Sequence, residues 1–173
     1  ALPSFLLISD PTDASVVSWR RTAQEAAGRL WTTLLTLPRY AGLYTPAWAL
    51  MNGETSYGIT WHVMTAGADL GDVLKQRLFD IAPGETSLTL NTKCFEAAMG
   101  SFAELVDELA ANRSTRLPQD LSKRTYFGRH ERPIAACTLG WNKSAVELDA
   151  LVRALDFGRY PNPLGLATVH RAN

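Results

Sequence analysis

Cysteine is nearly absent: Cys94 and Cys137 are the only two in 173 residues. Neither spacing nor number suits a zinc site or a disulfide scaffold, and two buried reduced thiols in a cytosolic protein is the reading that fits. No metal centre is expected. Charge of one sign is also lacking, because 17 Lys+Arg balance 17 Asp+Glu. Without a basic or acidic run there is no expected nucleic-acid or membrane surface. No apolar stretch approaches the roughly 20 residues that cross a bilayer. The opening ALPSFLLISD lacks the basic flank and length of a secretory signal. Internal repeats and low-complexity segments are missing. Asn112-Arg113-Ser114 is a formal glycosylation sequon, read as accidental in a cytosolic chain.

What is present is enough for a real core, since a chain of this length buries about two-thirds of its unfolded surface. The informative stretch runs from Leu37 to Ala82. Pro38 stops whatever precedes it, having no N–H to donate and disfavouring helix at the residue before it. Thr45-Pro46 reads as a helix start with Thr45 as cap, and Gly53 as its end. Tyr57, Ile59, Trp61 and Val63 alternate with Ser56, Gly58, Thr60 and His62, which predicts a strand over Thr55–Met64 with one apolar face. GADLGD, 67–72, turns the chain, and Val73–Ile81 returns as a second strand.

Ser4–Ser9 reads as a buried strand. Val16, Trp19, Ala23, Ala26, Ala27, Leu30, Leu34 and Leu37 recur at helical spacing and predict a helix ending near Leu35. Glu85–Ala111 is the longest predicted helix. Leu88, Phe95, Ala98, Met99, Phe102, Leu105, Val106 and Leu109 are its expected core stripe. Leu121–Pro133 is polar and irregular, and Ile134–Leu139 is a candidate extended segment. Asn142 or Ser144 caps a last helix, with Val146, Leu148, Leu151, Val152 and Leu155 facing inward and Gly158 ending it. The expected organisation is a core over 1–115 and an extension with one helix over 116–173, packed as a single unit.

LPRYAG, WALMNGE, GITWH and GADLGD, in that order, resemble the folate-dependent formyltransferase family. The likeness is greatest to the formyltransferase domains of nonribosomal peptide and related natural-product assembly lines. It continues through FDIAPGETSLTLNTKC, GWN, SAVELDALVRALDFG and YPNPLG, and covers roughly Leu37 to Leu166. The resemblance implies an α/β fold: a truncated Rossmann-like core with a mixed sheet and packed helices. Only 36 residues precede Leu37, where one βαβ unit alone takes about 30. Most of the N-terminal nucleotide-binding half is therefore expected to be missing. A small C-terminal β domain, also implied by the family, has too few residues after Leu166.

Formyl transfer needs a donor to the oxyanion and an acid–base group within hydrogen-bond reach of the amine. The family uses Asn-x-His for these roles, with Leu-Pro four residues after the His. Counting back from Leu37-Pro38 places Trp31 and Thr33 at those positions. Asp69 falls on the family's acidic position, and His62 on a second histidine found in assembly-line members. Asp69, as a vestigial acidic residue, and His62 are the candidate catalytic residues; no cofactor-binding residue is assigned. The expectation is a catalytically degenerate, cytoplasmic domain that serves as a structural or docking module. It would use no cofactor and bind another protomer or a neighbouring biosynthetic domain, most simply through the helix over Val16–Leu35. The alternative is an active enzyme moving a formyl group from 10-formyltetrahydrofolate to an amine, with a rearranged or partner-completed site. A small-molecule binder, or a catalyst of another reaction, on the remodelled scaffold is a third reading.

Overall fold

The computed structural model describes residues 30–33 and 35–169. The predicted strand Ser4–Ser9, most of the predicted helix Val16–Leu35 and His170 lie outside them. In chain order the elements are β1 (Leu30–Thr33), β2 (Ala41–Gly42), α1 (Thr45–Met51), β3 (Ser56–Val63), β4 (Val73–Asp80), α2 (Ser87–Ala110), β5 (Tyr126–Phe127) and α3 (Ala145–Ala154). Two 3-10 turns, Leu121–Lys123 and Ile134–Cys137, lie in the connections.

The expected mixed α/β architecture is present. A three-stranded sheet has the order β1-β3-β4, and β2 and β5 form a separate pair. The first sheet is antiparallel, and β2–β5 is parallel. Leu30–Thr33 corrects one expectation: it is a strand, not the last turn of a helix. Its backbone pairs with β3, Trp31 opposite His62 and Thr33 opposite Thr60. Tertiary pairing has overridden local spacing, because a four-residue run satisfies both periods too weakly to decide.

β3 departs from the expected single apolar face. It is the central strand, and Tyr57 through His62 are all buried. Tyr57, Ile59 and Trp61 enter the core, and Trp61 Nε1 donates to Ser101 Oγ of α2 at 2.9 Å. Thr60 hydrogen-bonds instead with the loop after β1: it accepts from Leu37 N–H and donates to the Leu35 carbonyl. A polar residue thus occupies the second face of the strand because its backbone neighbours supply its partners.

Tyr44, not Thr45, is the N-cap of α1, in left-handed conformation and without a side-chain cap bond. Thr45 is instead the first helical residue, buried, and Gly53 follows the Asn52 C-cap with φ 68°. Tyr40 is buried beneath this helix. Its hydroxyl donates to Glu54 at 2.7 Å and accepts from Asn52 at 3.0 Å. Burial pushes its pKa up to about 12.

The 24-residue α2 begins with a reciprocal Thr86–Thr89 capping box. Its core face is Leu90, Cys94, Ala98, Ser101, Leu105 and Val106. The predicted stripe is rotated only in part: Ala98, Leu105 and Val106 are buried as expected, while Phe95 and Met99 are each 56% exposed. Cys94 is fully buried and its thiol is pushed up to about 12, mainly by that burial. Cys137 is buried in a run of three left-handed residues, Ala135 to Cys137, where an extended segment was expected. Ser144 caps α3, closing a box with Glu147. Ala150, Ala154 and Leu155 are its buried residues, while Val146 and Val152, expected inside, are exposed.

The rotated stripe has a direct check. Leu105→Ala should destabilise the protein by about 2–5 kcal/mol, as a fully buried leucine does. Met99→Ala should stay within about 0.5 kcal/mol, as exposed positions do. Chemical denaturation of both variants measures this, and equal losses would return Met99 to the core.

Candidate functional site

The site is built where the 67–72 turn folds back on β3. A β-bulge between Trp61 and His62 shifts the register, so that His62 lies opposite Val73. Val63 N–H then donates to the Asp72 carbonyl at 3.0 Å and closes the turn. Gly71 makes this closure possible, since a Cβ there would lie 1.7 Å from the Val63 carbonyl oxygen. Asp69 takes left-handed φ at the tip of the turn, a conformation that aspartate tolerates better than most residues.

Three long-range contacts hold the turn. Asp69 Oδ2 accepts from Gly42 N–H at 3.1 Å. The Gln119 amide donates to the carbonyls of Asp69, at 3.0 Å, and Gly71, at 2.6 Å. Arg124 donates to the Ala68 carbonyl at 3.2 Å. Gly42 is itself fixed, because a Cβ on it would meet the Phe127 carbonyl at 2.2 Å across the β2–β5 pair. Residues 117–127 thus clamp the acidic turn from outside.

His62 and Asp69, both chosen from the sequence, are brought together. His62 Nε2 stands 3.6 Å from Asp69 Oδ1, with both side chains largely buried. His62 Nδ1 lies 3.1 Å from the Val63 carbonyl. A carbonyl only accepts, so Nδ1 carries the proton, and Nε2 of the neutral ring is a lone pair. Nε2 has no hydrogen-bond partner among the described residues. With the ring in this tautomer two acceptors face each other, and a donor group placed between them would satisfy both. The pair borders a cavity of about 410 Å³ walled also by Leu43, Met64, Thr65 and Tyr126. Tyr126 is half-exposed beneath the Arg124 guanidinium, 4.8 Å from its ring centre.

Trp31 and Thr33 sit on β1 beside this pair, in register with His62 and Thr60. His130 is exposed and away from the described site. Tyr40 and Trp48 are core-packed, stacking on Phe127 at 5.7 and 4.8 Å. Gln119, Arg124 and Tyr126 were not anticipated. They lie in a stretch without periodicity. Among the described residues no group of His, Cys, Asp and Glu could hold a metal ion, and no helix is long and apolar enough to cross a membrane.

The described residues share their fold with solved formyltransferase structures. Residues 35–106 match the formyl transferase family. The chain is similar to the N-formyltransferase from Helicobacter canadensis in complex with folinic acid and dTDP-3-aminofucose, with TM-score 0.67 and 23% identity over 72% of this chain and 46% of that one. A 4-N formyltransferase from Francisella tularensis gives TM-score 0.66 and 21% identity, over 77% and 55%. HypX from Aquifex aeolicus in complex with tetrahydrofolic acid gives 0.61 and 18%, over 73% and 22%. The chain thus spans about half the length of the first two structures and about a fifth of the third.

The closure of the turn predicts opposite outcomes at two neighbouring glycines. Gly71→Ala should cost about 1–3 kcal/mol, because the added methyl meets backbone. Gly67→Ala should cost far less, since its methyl meets only the end of the partly exposed Leu70 side chain. Thermal denaturation compares them, and equal tolerance would mean that the turn is not held against β3.

Proposed function

We propose that this chain is a catalytically degenerate formyltransferase-like domain of natural-product biosynthesis, of nonribosomal peptide type, acting as a structural or docking module. The observation that carries the reading is the register of β1. It puts Trp31 and Thr33 beside His62 and Thr60, at the strand positions where the resemblance expects asparagine and histidine. A tryptophan offers only an N–H, and a threonine hydroxyl has no useful pKa. His62 and Asp69 keep the acidic side of the site without the acid–base group that collapses a tetrahedral intermediate. The module would work in the cytoplasm beside another protomer or a neighbouring biosynthetic domain.

A second reading has its own support. The His62–Asp69 pair is buried and next to a cavity, as an enzyme completed by a partner would require. In that case 10-formyltetrahydrofolate is the donor, an amine is the acceptor, and His62 and Asp69 are the candidate acid–base groups of a site rearranged by the partner.

A formyl-transfer assay separates the two. The chain, mixed with 10-formyltetrahydrofolate and a carrier-bound aminoacyl substrate, should give no turnover above a no-enzyme control. Loss of the general base and of the oxyanion donor each typically costs about a hundredfold or more. Turnover that disappears in His62→Ala and Asp69→Asn would establish the second reading and end the first.

A further inference from the structure

A larger cavity, of about 660 Å³, lies on the other side of Gly42–Leu43 from the His62–Asp69 pair. It is formed by the Leu43–Ala47 segment, the first turns of α2, and Phe157 and Tyr160 after α3. Leu88, Asn91, Thr92 and Phe95 line it at i, i+3, i+4 and i+7, one continuous face of α2. Leu88 and Phe95 are therefore apolar residues placed on a cavity and not in the core. Tyr160 and Phe95 are 69% and 56% exposed at its edge.

The chemistry of the wall is selective. No Asp, Glu, Lys, Arg or His stands among its described lining residues. Most of its polar groups are already engaged: Ser87 Oγ donates to the Ala154 carbonyl at 2.6 Å, and Thr92 Oγ1 to the Leu88 carbonyl at 3.0 Å. The half-buried Asn91 carboxamide makes no hydrogen bond to the described residues, and neither does the half-buried Tyr44 hydroxyl. A carboxamide offers a donor and an acceptor side by side, the complement of another amide.

We infer that this cavity is a binding site for an uncharged small molecule that joins an apolar ring to an amide edge. The ring lies against Leu88, Phe95 and Phe157, and the amide pairs with Asn91. An apolar cavity of this size with a few convergent polar groups is the usual form of such a site. Among the described lining residues no counter-charge is present to pair with a phosphate or carboxylate, which favours an uncharged ligand. The inference is separate from the degenerate reading of the His62–Asp69 pair and stands or falls without it.

The test uses N-acetyl-L-phenylalaninamide as an uncharged probe and N-acetyl-L-phenylalanine as its anionic counterpart. Saturation-transfer NMR titration of the full chain should show saturable binding of the amide, at least tenfold tighter than of the acid. Thr92→Trp, at an exposed position, should fill the cavity mouth and weaken binding at least tenfold. Asn91→Asp should do the same by putting an unpaired charge against the amide. Circular dichroism confirms folding, and Thr92→Trp decides alone if Asn91→Asp unfolds. No saturable binding to the folded wild type would overturn the inference. So would equal affinity for the acid, or binding that Thr92→Trp leaves unchanged.

Discussion

The hydrogen bond from Gly42 N–H to the Asp69 carboxylate joins the two halves of the described structure. Gly42 belongs to β2, which leads into α1, and Asp69 to the turn between β3 and β4. The bond therefore fixes the position of the turn relative to the α1 layer. It leaves Asp69 Oδ1 facing His62, because Oδ2 is already used. The close approaches at Gly42 and Gly71 serve the same end, letting backbone lie against backbone where any side chain would push the turn away. Gln119 and Arg124 then cover the turn, so its carbonyls are paired with protein and not with solvent.

Around this centre the two cavities divide the chemistry. The one holding His62 and Asp69 carries two facing acceptors and a half-exposed tyrosine. The other is uncharged and presents a helix face that the core leaves unused. They share Gly42 and Leu43, so the same loop shapes both. Ion pairs play a smaller part. Lys75 with Glu104 and Glu108, and Arg77 with Glu104, tie β4 to α2, and the exposed Arg77–Glu104 pair is of a kind worth only about 0–1 kcal/mol. Burial of Leu90, Leu105, Ile59 and Trp61 at the sheet–helix interface is the larger stabilising term.

Much of this was legible in the sequence. Alternation announced β3, and the acidic turn announced the return of β4. A long amphipathic stretch announced α2, and the motif order placed Asp69 and His62 in one site. What was not legible has physical causes. Leu30–Thr33 follows residues at helical spacing, and only its pairing with β3 makes it a strand. Leu88, Phe95 and Met99 do form a stripe, but periodicity gives the stripe and not its destination. The predicted members Ala98, Leu105 and Val106 did enter the core, joined there by the small side chains of Cys94 and Ser101. The clamp residues Gln119 and Arg124 act through single side chains on a distant turn, a contact that carries no local pattern.

Titration of the folded chain with folinic acid, followed by calorimetry, tests the central claim most directly. A site whose β1 carries Trp31 and Thr33 in place of the expected pair should show no saturable heat. Stoichiometric binding that Asp69→Asn abolishes would contradict the account and make the domain a working folate site.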